Sequence, residues 1–409
     1  MLVIQEPNRM PPCQQACPAH IDVPRYVRHM AEGDFHQALL VICEKIPFPW
    51  ICGHICARPC EGKCNMRFMD DAVAIRMLKR VAAEKGGPIT FDPPGSKTDH
   101  KVAVIGSGPS GLTAAFHLAR LGHEVDVFEA REKAGGMMRF QVSENGLKEE
   151  ILDGEINNIK GTGFNLHTST PIKESIDDLS QQGYSATLVA VGVPRKTKEG
   201  IIGEGPESLE RLGLSPTEKG IIKVDQDTMA TDIEGVFACG DVITGARSVI
   251  HGIASGRKAA ESIDRHLAGQ GDITLRLAPP EGEIAHLMPD LTVTRMDIDN
   301  FSPQKGSNDL GDGDQPLVEA AVMNEAKRCL RCDLPIVADT DICCGCITCE
   351  LICSFKENSF NPLMAAIKID KIRGGVEYGI AFTSECDSCG LCVRYCPRET
   401  LTRGRKEAG

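Results

Sequence analysis

The sequence predicts a multidomain protein with an α-helical N-terminal domain, a central α/β domain and a C-terminal α+β domain. Apolar residues such as Val23 and Val27 repeat with helical spacing in the cysteine-rich residues 1–85. Strand-like and helix-like segments alternate over residues 101–268, which is typical of an α/β domain. Two cysteine runs of identical spacing fall within residues 336–409.

Composition excludes several classes of partner. With 409 residues, 42% of them hydrophobic, the chain can form about two to four domains around a sizeable core. The formal net charge of −12 disfavours nucleic acid as a partner and leaves no basic stripe for a membrane surface. Only 4% of the residues are aromatic, too few for the stacking platforms that bind single-stranded nucleic acids. No apolar stretch reaches the roughly eighteen residues that cross a bilayer, so we expect neither nucleic acid nor membrane binding.

The connecting segments are marked by their polarity. Residues 86–100 form a linker rich in glycine and proline between the first two predicted domains. Residues 269–335 are interpreted as a second linker, in which residues 302–316 form a polar surface loop.

Eight of the nineteen cysteines form two runs with the pattern C-x2-C-x2-C-x3-C. In this spacing three thiolates of a run bind one 4Fe-4S cluster and the fourth binds the neighbouring cluster. We therefore expect a bacterial-ferredoxin-like domain that transfers single electrons. One cluster would be held by Cys343, Cys346, Cys349 and Cys396, and the other by Cys353, Cys386, Cys389 and Cys392.

Disulfides and zinc are the alternative uses of these cysteines. The N-terminus, MLVIQEPNRMPP, has no charged segment followed by an apolar one, so we expect a cytoplasmic protein with reduced thiols. Zinc would satisfy the same ligands, but zinc sites rarely use four cysteines so closely spaced and closed by a Cys-Pro pair such as Cys396-Pro397.

A dinucleotide-binding fingerprint opens the α/β segment. The strand KVAVIG leads into Gly106-x-Gly108-x-x-Gly111, with Pro109 and Ser110 inside the turn, and a helix follows. Glycine is needed because the turn is tight, the backbone approaches a pyrophosphate and the helix packs on the strand. The free N–H groups at the start of the helix can bind the phosphates. The alternative is a glycine-rich turn without a ligand.

Three later features extend this fingerprint. A second strand ends at Glu129, where a carboxylate can bind a ribose, and Gly135 and Gly136 follow it. The segment TMATDIEGVFACGD ends with Gly240 and Asp241 and resembles flavoproteins of the glutamate synthase small-subunit type. The resemblance implies that the dinucleotide is FAD and that Gly240 and Asp241 contact it. The alternative for Asp241 is a helix N-cap.

Members of that family carry a second Rossmann domain for NAD(P)H, which we expect to be missing here. About forty residues separate Gly192 from Gly235, too few for a further nucleotide domain. Gly203-x-Gly205 in this interval is interpreted as a loop, with a nicotinamide-binding turn as the alternative. An NAD(P) site would have to be shaped by this short interval or by a partner.

The N-terminal cysteines resemble the helical iron-sulfur domain of the same family. The segments PPCQQACPAHIDVPRYVRHMAEGDFHQAL and ICGHICARPCEGKC carry the resemblance. A C-x2-C pair precedes this domain in the family, and a similar pair occurs here in EAKRCLRC. The resemblance implies that Cys329 and Cys332 fold back to complete one cluster with Cys13 and Cys64.

A second N-terminal cluster would use Cys17, Cys56 and Cys60 and needs a fourth ligand. Where family members place a carboxylate or amide ligand, this chain has Lys79, which cannot coordinate while protonated. Cys52 is the nearest substitute. We expect four clusters in the chain, with a single N-terminal cluster as the alternative.

Three cysteines remain outside these groups. Cys43 and Cys344 are expected to be small buried apolar residues. Cys239 adjoins the Gly240-Asp241 pair but has no partner cysteine nearby in sequence, so we expect it to pack in the core.

The C-terminal segment carries its own resemblance. CGCITCELICSFKENSFNPLMAAIKI is similar to the small iron-sulfur subunits that accompany tungsten or molybdenum aldehyde oxidoreductases. The resemblance implies that the partner is a larger redox enzyme subunit that contains a metallopterin.

Two functions remain at this point. In the first, the chain is an oxidoreductase subunit that relays electrons between FAD and a partner through its clusters. In the second, it is an NAD(P)H-dependent flavin oxidoreductase that exchanges electrons with ferredoxin-type clusters. Glutamate synthesis is a distant third function, because neither the partner nor the reductant domain of that family is visible.

Overall fold

The computed structural model describes most of the chain. The described residues are 2–7, 10–144, 147–172, 175–197, 200–203, 205–280, 315–356, 359–373 and 377–404. The polar loop predicted at 302–316 lies outside them except for its last two residues. Within the described part, no helix has the length and apolar character that a bilayer crossing requires.

The N-terminal region consists of one strand followed by a helical domain. Its elements are β1 (Leu2–Gln5), α1 (Pro12–Ala16), α2 (Val23–Glu32), α3 (Phe35–Cys43), α4 (Pro49–Ile55) and α5 (Ile75–Lys85). The Asp22 side chain caps α2, and Gly33 ends it in the left-handed conformation. The apolar stripe that includes Val23 and Val27 is buried, as the helical spacing predicts.

The central domain contains a five-stranded parallel sheet and the helices that pack against it. Its strands are β2 (Lys101–Ile105), β3 (Glu124–Phe128), β4 (Asn165–His167), β5 (Ala186–Val189), β6 (Arg195–Thr197), β7 (Gly200–Ile202) and β8 (Val236–Ala238). The parallel sheet has the order β4-β3-β2-β5-β8, while β6 and β7 form a separate antiparallel hairpin. Its helices are α6 (Pro109–Arg120), α7 (Met137–Glu144), α8 (Glu149–Lys160), α9 (Ile176–Gln181), α10 (Pro206–Arg211), α11 (Asp241–Thr244) and α12 (Val249–His266).

The C-terminal region begins with a helix inside the predicted linker. Its elements are α13 (Gln315–Lys327), β9 (Ile336–Asp339), α14 (Thr348–Phe355), β10 (Ile367–Arg373), β11 (Glu377–Phe382), α15 (Leu391–Arg394) and β12 (Leu401–Arg403). The strands β10 and β11 form an antiparallel hairpin.

The N-terminal strand β1 belongs to the C-terminal sheet. The expectation that residues 1–85 form a purely helical domain is therefore wrong for this strand. The strand β1 pairs antiparallel with β9, and β9 also pairs with β12. More than three hundred residues of chain separate β1 from its partner, so no local pattern could have indicated the pairing. The two ends of the chain are therefore held together by backbone hydrogen bonds.

Helix α13 returns the chain to the N-terminal domain, where it packs against α2. Arg328, at the end of this helix, is fully buried and forms ion pairs with Glu325 at 2.7 Å and Asp70 at 2.9 Å. Glu325 also accepts a hydrogen bond from the backbone N–H of Ala74 at 2.8 Å. Because these charges are paired and hydrogen-bonded, they anchor α13 without leaving a buried charge uncompensated.

The iron-sulfur and α/β regions also contact each other directly. The carboxylate of Glu155 in α8 accepts hydrogen bonds from the backbone N–H groups of Trp50 and Ile51 at 2.7 and 3.1 Å. These N–H groups lie in the first turn of α4, where they have no partner within the helix. Arg257 of α12 donates to the carbonyl oxygen of Lys45 at 3.2 Å.

The contact between α6 and α12 depends on glycine. A Cβ atom at Gly256 would overlap the carbonyl oxygen of Ser110. We expect Gly256→Ala to lower the free energy of unfolding by about 1–3 kcal/mol, since an added methyl group in a packed contact forces the helices apart. Gly154→Ala is the matched control, because Gly154 is an exposed helical residue at which an added Cβ would meet no atom, and it should raise stability by about 0.5–1 kcal/mol. Denaturant unfolding followed by circular dichroism measures both, and equal effects would contradict the packing argument.

Candidate functional site: a dinucleotide cavity and four cysteine sets

A cavity of about 320 Å³ lies at the carboxyl edge of the parallel sheet. It is bounded by residues that directly follow three strands, Gly106 after β2, Glu129 after β3 and Ala190 after β5. The carboxyl ends of the strands are where open α/β sheets bind their ligands, and the volume falls within the range of ligand pockets.

Glycine occurs at the three positions of the fingerprint for different structural reasons. Gly106 has φ of +107°, and a Cβ there would press on the carbonyl oxygen of Ala190. A Cβ at Gly111 would overlap the carbonyl oxygen of Gly106. A Cβ at Gly108, in contrast, would meet no atom within 4 Å, and this residue lines the cavity with an ordinary extended backbone. The protein itself does not require glycine at position 108, so the free space beside it fits a ligand that approaches the backbone closely.

Helix α6 presents its N-terminus to this cavity. Its N-cap residue, Gly108, makes no side-chain cap, and Pro109 and Ser110 of the first turn line the cavity. Unpaired N–H groups and the positive end of the helix dipole both favour an anion at this point.

The two carboxylates of the cavity are held by backbone N–H groups. Glu129 accepts hydrogen bonds from the N–H groups of Ser107 at 3.1 Å and Arg131 at 2.9 Å, and from the Ser107 hydroxyl. Asp241 accepts a hydrogen bond from the N–H group of Arg247 at 3.0 Å. Asp241 is the first residue of α11, whereas the N-cap is Gly240, so the side chain of Asp241 does not cap this helix.

Three of the predicted binding residues lie behind the cavity wall. Gly111 packs against Gly106, and the N–H group of Gly135 donates to the Ser107 carbonyl oxygen at 3.1 Å. Gly240 has φ of +79° and lies against Ser110. These glycines shape the binding turn, while Gly136 lines the cavity itself.

The basic residues of the cavity were not predicted from the sequence. The charged side chains that line it are the carboxylates of Glu129 and Asp241 and four arginines: Arg131, Arg195, Arg211 and Arg247. The arginines give the lining an excess of positive charge, which suits the anionic pyrophosphate of a dinucleotide. They come from loops and from the start or end of short elements, so no periodic pattern marks them.

The interval expected to lack a nucleotide domain contains the hairpin β6–β7 and the short helix α10. A Cβ at Gly203 would collide with the backbone of Val193, and Gly205 is the N-cap of α10. The described residues of this interval form no β-α-β unit around Gly203-x-Gly205, and Gly203 instead contributes to the wall of the cavity.

Sixteen cysteines are grouped into four sets. Set 1 consists of Cys17, Cys52, Cys56 and Cys60, all of them buried in the helical domain. Lys79 of α5 is only 4% exposed and lies among them. Burial lowers the pKa of Lys79, but the charges of Cys56, Cys52 and Cys60 in their ionised, thiolate form raise it above its ordinary value.

Set 2 consists of Cys13, Cys64, Cys329 and Cys332, which line one cavity. Burial raises the pKa of Cys13, and the thiols of Cys332, Cys329 and Cys64 raise it further. The side-chain amide of Asn65 donates to Sγ of Cys332 at 3.4 Å. The C-x2-C pair after α13 has therefore returned to the N-terminal domain.

Set 3 consists of Cys353, Cys386, Cys389 and Cys392, which line a second cavity. The backbone N–H group of Ala366 donates to Sγ of Cys353 at 3.2 Å. An ion pair between Lys356 and Asp387 lies at the rim of this cavity.

Set 4 consists of Cys343, Cys346, Cys349 and Cys396, which line a third cavity together with Ile369 and Ile380. The thiols are thus grouped across the two runs, Cys396 with the first run and Cys353 with the second. Cys344 also lines this cavity and is exposed, so the expectation that it is a buried apolar residue is wrong. Its position between two residues of the set, in a turn with Gly345 at φ of +66°, turns its side chain away from a core. Cys43 and Cys239 are buried, as expected.

The four sets adjoin one another in numerical order. Consecutive sets meet at three pairs of neighbouring cysteines: Cys60 and Cys13, Cys332 and Cys389, and Cys392 and Cys349. At the second pair, Sγ of Cys332 lies 3.5 Å from the carbonyl oxygen of Cys389. Among the described residues, no group of three or more His, Cys, Asp or Glu side chains converges on a point where a single metal ion would be held.

Two family models match parts of this chain. Residues 8–87 match the model described as dihydropyrimidine dehydrogenase domain II, 4Fe-4S cluster. Residues 59–256 match the model described as pyridine nucleotide-disulphide oxidoreductase. The chain therefore contains a helical iron-sulfur domain followed by an α/β oxidoreductase domain. The C-terminal region lies outside both matches.

Several oxidoreductase proteins are similar to this chain. The NADP(+)-dependent formate dehydrogenase subunit beta of Moorella thermoacetica is 34% identical over 219 residues, which cover 47% of this chain and 31% of that protein. The NADPH-Fe(3+) oxidoreductase subunit beta of Geobacter sulfurreducens is 33% identical over 200 residues, covering 47% and 30%. The NADPH glutamate synthase small chain of Bacillus subtilis is 29% identical over 263 residues, covering 61% and 52%. The chain spans less than a third of the length of the first two and about half of the third.

Solved structures overlap this chain only weakly. A putative thioredoxin reductase from Bacillus anthracis is 14% identical with a TM-score of 0.28, and the match covers 41% of this chain and 98% of that one.

The composition of set 2 can be tested by removing one thiol. We expect Cys332→Ala to lower the iron content of anaerobically purified protein by about four atoms per chain, because one cluster loses a ligand. Cys239→Ala is the control, since this buried cysteine belongs to no set, and it should leave the iron content unchanged. Iron analysis and electron paramagnetic resonance of reduced samples measure both variants. Full iron in the Cys332 variant would exclude this residue as a ligand.

Proposed function

We propose that this chain is the FAD- and 4Fe-4S-containing electron-transfer subunit of an oxidoreductase. It relays electrons between a flavin in the sheet-edge cavity and a partner redox enzyme, through one cluster in each of the four cysteine sets. The observation that carries the proposal is the continuous series of sets, which leads from the domain beside the cavity to the C-terminal surface. A series of neighbouring redox centres is what single-electron transfer over a long distance needs.

The packing of α4 supports the proposal that set 1 is the member of the series next to the flavin. This helix contains Cys52 of set 1 and packs against α7 and α12. Both of those helices contribute to the cavity wall, α7 through Met137 and α12 through Val249 and Gly252. Set 1 is therefore the set that adjoins the elements around the proposed flavin.

The cavity fits FAD better than a ligand without phosphates. The N-terminus of α6 and the guanidinium groups of Arg195 and Arg247 would hold the pyrophosphate, and Glu129 would hold the ribose of the adenosine. When bound, FAD supplies the conversion between two-electron and one-electron transfer. The chain binds and orients it, and Gly108 leaves the space that its phosphates occupy.

Set 1 is proposed to hold a cluster with Cys52 as its fourth ligand. Cys52 is fully buried beside Cys56 and Cys17, and burial raises its pKa, while the charge of Lys79 opposes this rise. Lys79 is a buried cation, and within the described residues it forms no ion pair with a carboxylate. A cluster with thiolate ligands would supply the negative charge that this cation needs.

Sets 3 and 4 are proposed to form a ferredoxin-like pair of clusters. The grouping of Cys396 with the first run and of Cys353 with the second supports this assignment, since each cluster then borrows its fourth thiolate from the other run. The backbone N–H group of Ala366 points to Sγ of Cys353, a contact that stabilises a thiolate.

The C-terminal domain is proposed to dock the partner. Large apolar side chains are exposed along it, including Phe360 at 75% and Leu363 at 83%. Met364 and Ile347 are also exposed, and they line the cavities of sets 3 and 4. Such an apolar surface beside the last redox centres suits a protein interface. The partner is proposed to be a larger redox subunit in the cytoplasm, and the resemblance noted for this segment favours one that contains a metallopterin.

An NAD(P)H-dependent flavin oxidoreductase is the second candidate function. It is favoured by the names of similar proteins, which include an NADP(+)-dependent and an NADPH-dependent enzyme subunit. It is disfavoured by the hairpin β6–β7 and helix α10, which occupy the interval where a nucleotide domain would be inserted.

Cofactor content and reduction separate these functions. Protein purified without oxygen is expected to contain about sixteen iron atoms and one FAD per chain. NADPH or NADH alone should leave the flavin absorbance unchanged, whereas dithionite should bleach it, because a hairpin and a short helix occupy the interval in which a nicotinamide-binding domain would lie. Rapid bleaching by NADPH would favour the second function. Colourless protein would contradict both.

The fit of FAD can be tested at Gly108. We expect Gly108→Ala to weaken FAD binding by at least about tenfold, corresponding to about 1.4 kcal/mol, because the added methyl group points into the phosphate space. Gly95→Ala is the control, since its added methyl group also meets no protein atom but lies in the linker far from the cavity lining. Titration of deflavinated protein with FAD measures the two affinities. Equal affinities would contradict the placement of the phosphates.

A further inference from the structure

A buried arginine lies between sets 2 and 3. Arg403, the last residue of β12, is 0% exposed. Its guanidinium donates hydrogen bonds to the carbonyl oxygens of Leu334 at 2.5 Å and Ser388 at 2.5 Å, and to the Ser388 hydroxyl at 2.9 Å. All of these acceptors are neutral. Among the described residues no carboxylate lies within ion-pair distance of Arg403, and its Nε has no hydrogen-bond partner.

The position of this charge is built into the fold. A Cβ at Gly390 would overlap Nη2 of Arg403, so the glycine leaves room for the guanidinium in the turn between two ligands of set 3. The guanidinium donates to the carbonyl oxygen of Leu334, two residues after Cys332 of set 2, and to Ser388, which lies between Cys386 and Cys389 of set 3. It therefore lies beside both sets, near the point where Sγ of Cys332 meets the carbonyl oxygen of Cys389.

An unpaired buried cation is costly unless a negative group compensates it. Arg328 shows how the chain meets this cost elsewhere, by pairing a fully buried guanidinium with Glu325 and Asp70. The carboxylates of Asp333 and Asp387 also lie near the thiols of sets 2 and 3, but each pairs with another cation, Arg331 and Lys356 respectively. The thiols of Cys332, Cys386 and Cys392 are the further groups beside Arg403 that can become negative. Clusters bound through these thiols would carry net negative charge and would thus be the counter-ions of this arginine.

We propose that Arg403 is the charge that sets the reduction potentials of the clusters in sets 2 and 3 together, at the junction where electrons cross between the N-terminal and C-terminal parts of the chain. This inference deepens the proposed function and depends on it. A positive charge favours the reduced, more negative form of each neighbouring cluster, so it raises both potentials. Because Arg403 shifts both potentials in the same direction, it changes the potentials of the two clusters while leaving the difference between them largely unaltered. Arg403 is a positioning residue and touches neither sulfur nor iron.

Arg403 also donates hydrogen bonds to three acceptors, and holding these groups in place would by itself be a purely structural role. The experiment therefore compares Arg403→Gln, which removes the charge but keeps a donor, with Arg403→Lys, which keeps the charge. Lys371→Gln is the control, because it removes an exposed positive charge from β10 of the same domain. The holoprotein of each variant is analysed for iron and FAD, and electron paramagnetic resonance is recorded during an anaerobic redox titration.

The wild-type iron content tests the proposed function, and the potentials test this inference. We expect the Arg403→Gln variant to keep its full iron content. Two of its four cluster signals should move to lower potential by about 59 mV, which for one electron corresponds to a change of about tenfold in the oxidised-to-reduced ratio at a fixed potential. Arg403→Lys and Lys371→Gln should leave all four signals in place. Unchanged potentials in Arg403→Gln, or a shift of only one cluster, would overturn the inference.

If the Arg403→Gln variant does not fold, the Arg403→Lys variant tests the inference instead. Wild-type iron content and potentials in the lysine variant would support the charge as the cause, since lysine cannot reproduce the planar fork of hydrogen bonds. Potentials that fall although the charge is kept would show that the hydrogen bonds act instead, and would overturn the inference.

Discussion

The cysteine thiols of the four sets are largely buried, and their burial governs how iron can bind. Burial raises the pKa of Cys60, Cys349 and Cys389 to about 12, so these thiols hold their protons at neutral pH when no metal is near. Iron binding must therefore remove protons from thiols that the fold keeps neutral. The formation of the iron–sulfur bonds has to supply the free energy that this deprotonation costs. The buried cations Lys79 and Arg403 reduce this cost, because each favours the ionised form of the thiols around it.

The same sets connect parts of the chain that are far apart in sequence. Asn65 and Cys332 are in contact although 267 residues separate them. Closing so long a loop costs entropy, but the cost grows only with the logarithm of loop length, and the ion pairs of Arg328 together with the pairing of β1 with β9 help to offset it. The N-terminal domain is thus completed by residues from the C-terminal part of the chain. Truncation after the α/β domain would remove two thiols of set 2 as well as sets 3 and 4.

Local patterns were sufficient where the chemistry is local. The glycine fingerprint placed Gly106 and Gly108 at the cavity, because strand, turn and helix follow one another within a few residues. The sequence could not indicate β1 as an edge strand of the C-terminal sheet, nor the four arginines of the cavity, because each depends on contacts between distant segments. Helix α13 was missed for a related reason: its buried face is defined by its contact with α2, and the polar segment before it suggested only a linker.

The short interval between β5 and β8 forms part of the cavity wall. Its residues Gly203 and Arg211 line the cavity, and Arg195 in β6 lies 3.8 Å from Asp241. This segment, which is too short to form a nucleotide domain, is thus part of the wall around the proposed flavin, and its arginines contribute positive charge to that wall. Positive charge beside a bound flavin favours its reduced, anionic forms. The interval would therefore tune the flavin from one side of the cavity, while α4 and set 1 adjoin it through α7 and α12, and exchange of electrons with set 1 would need no bound nicotinamide.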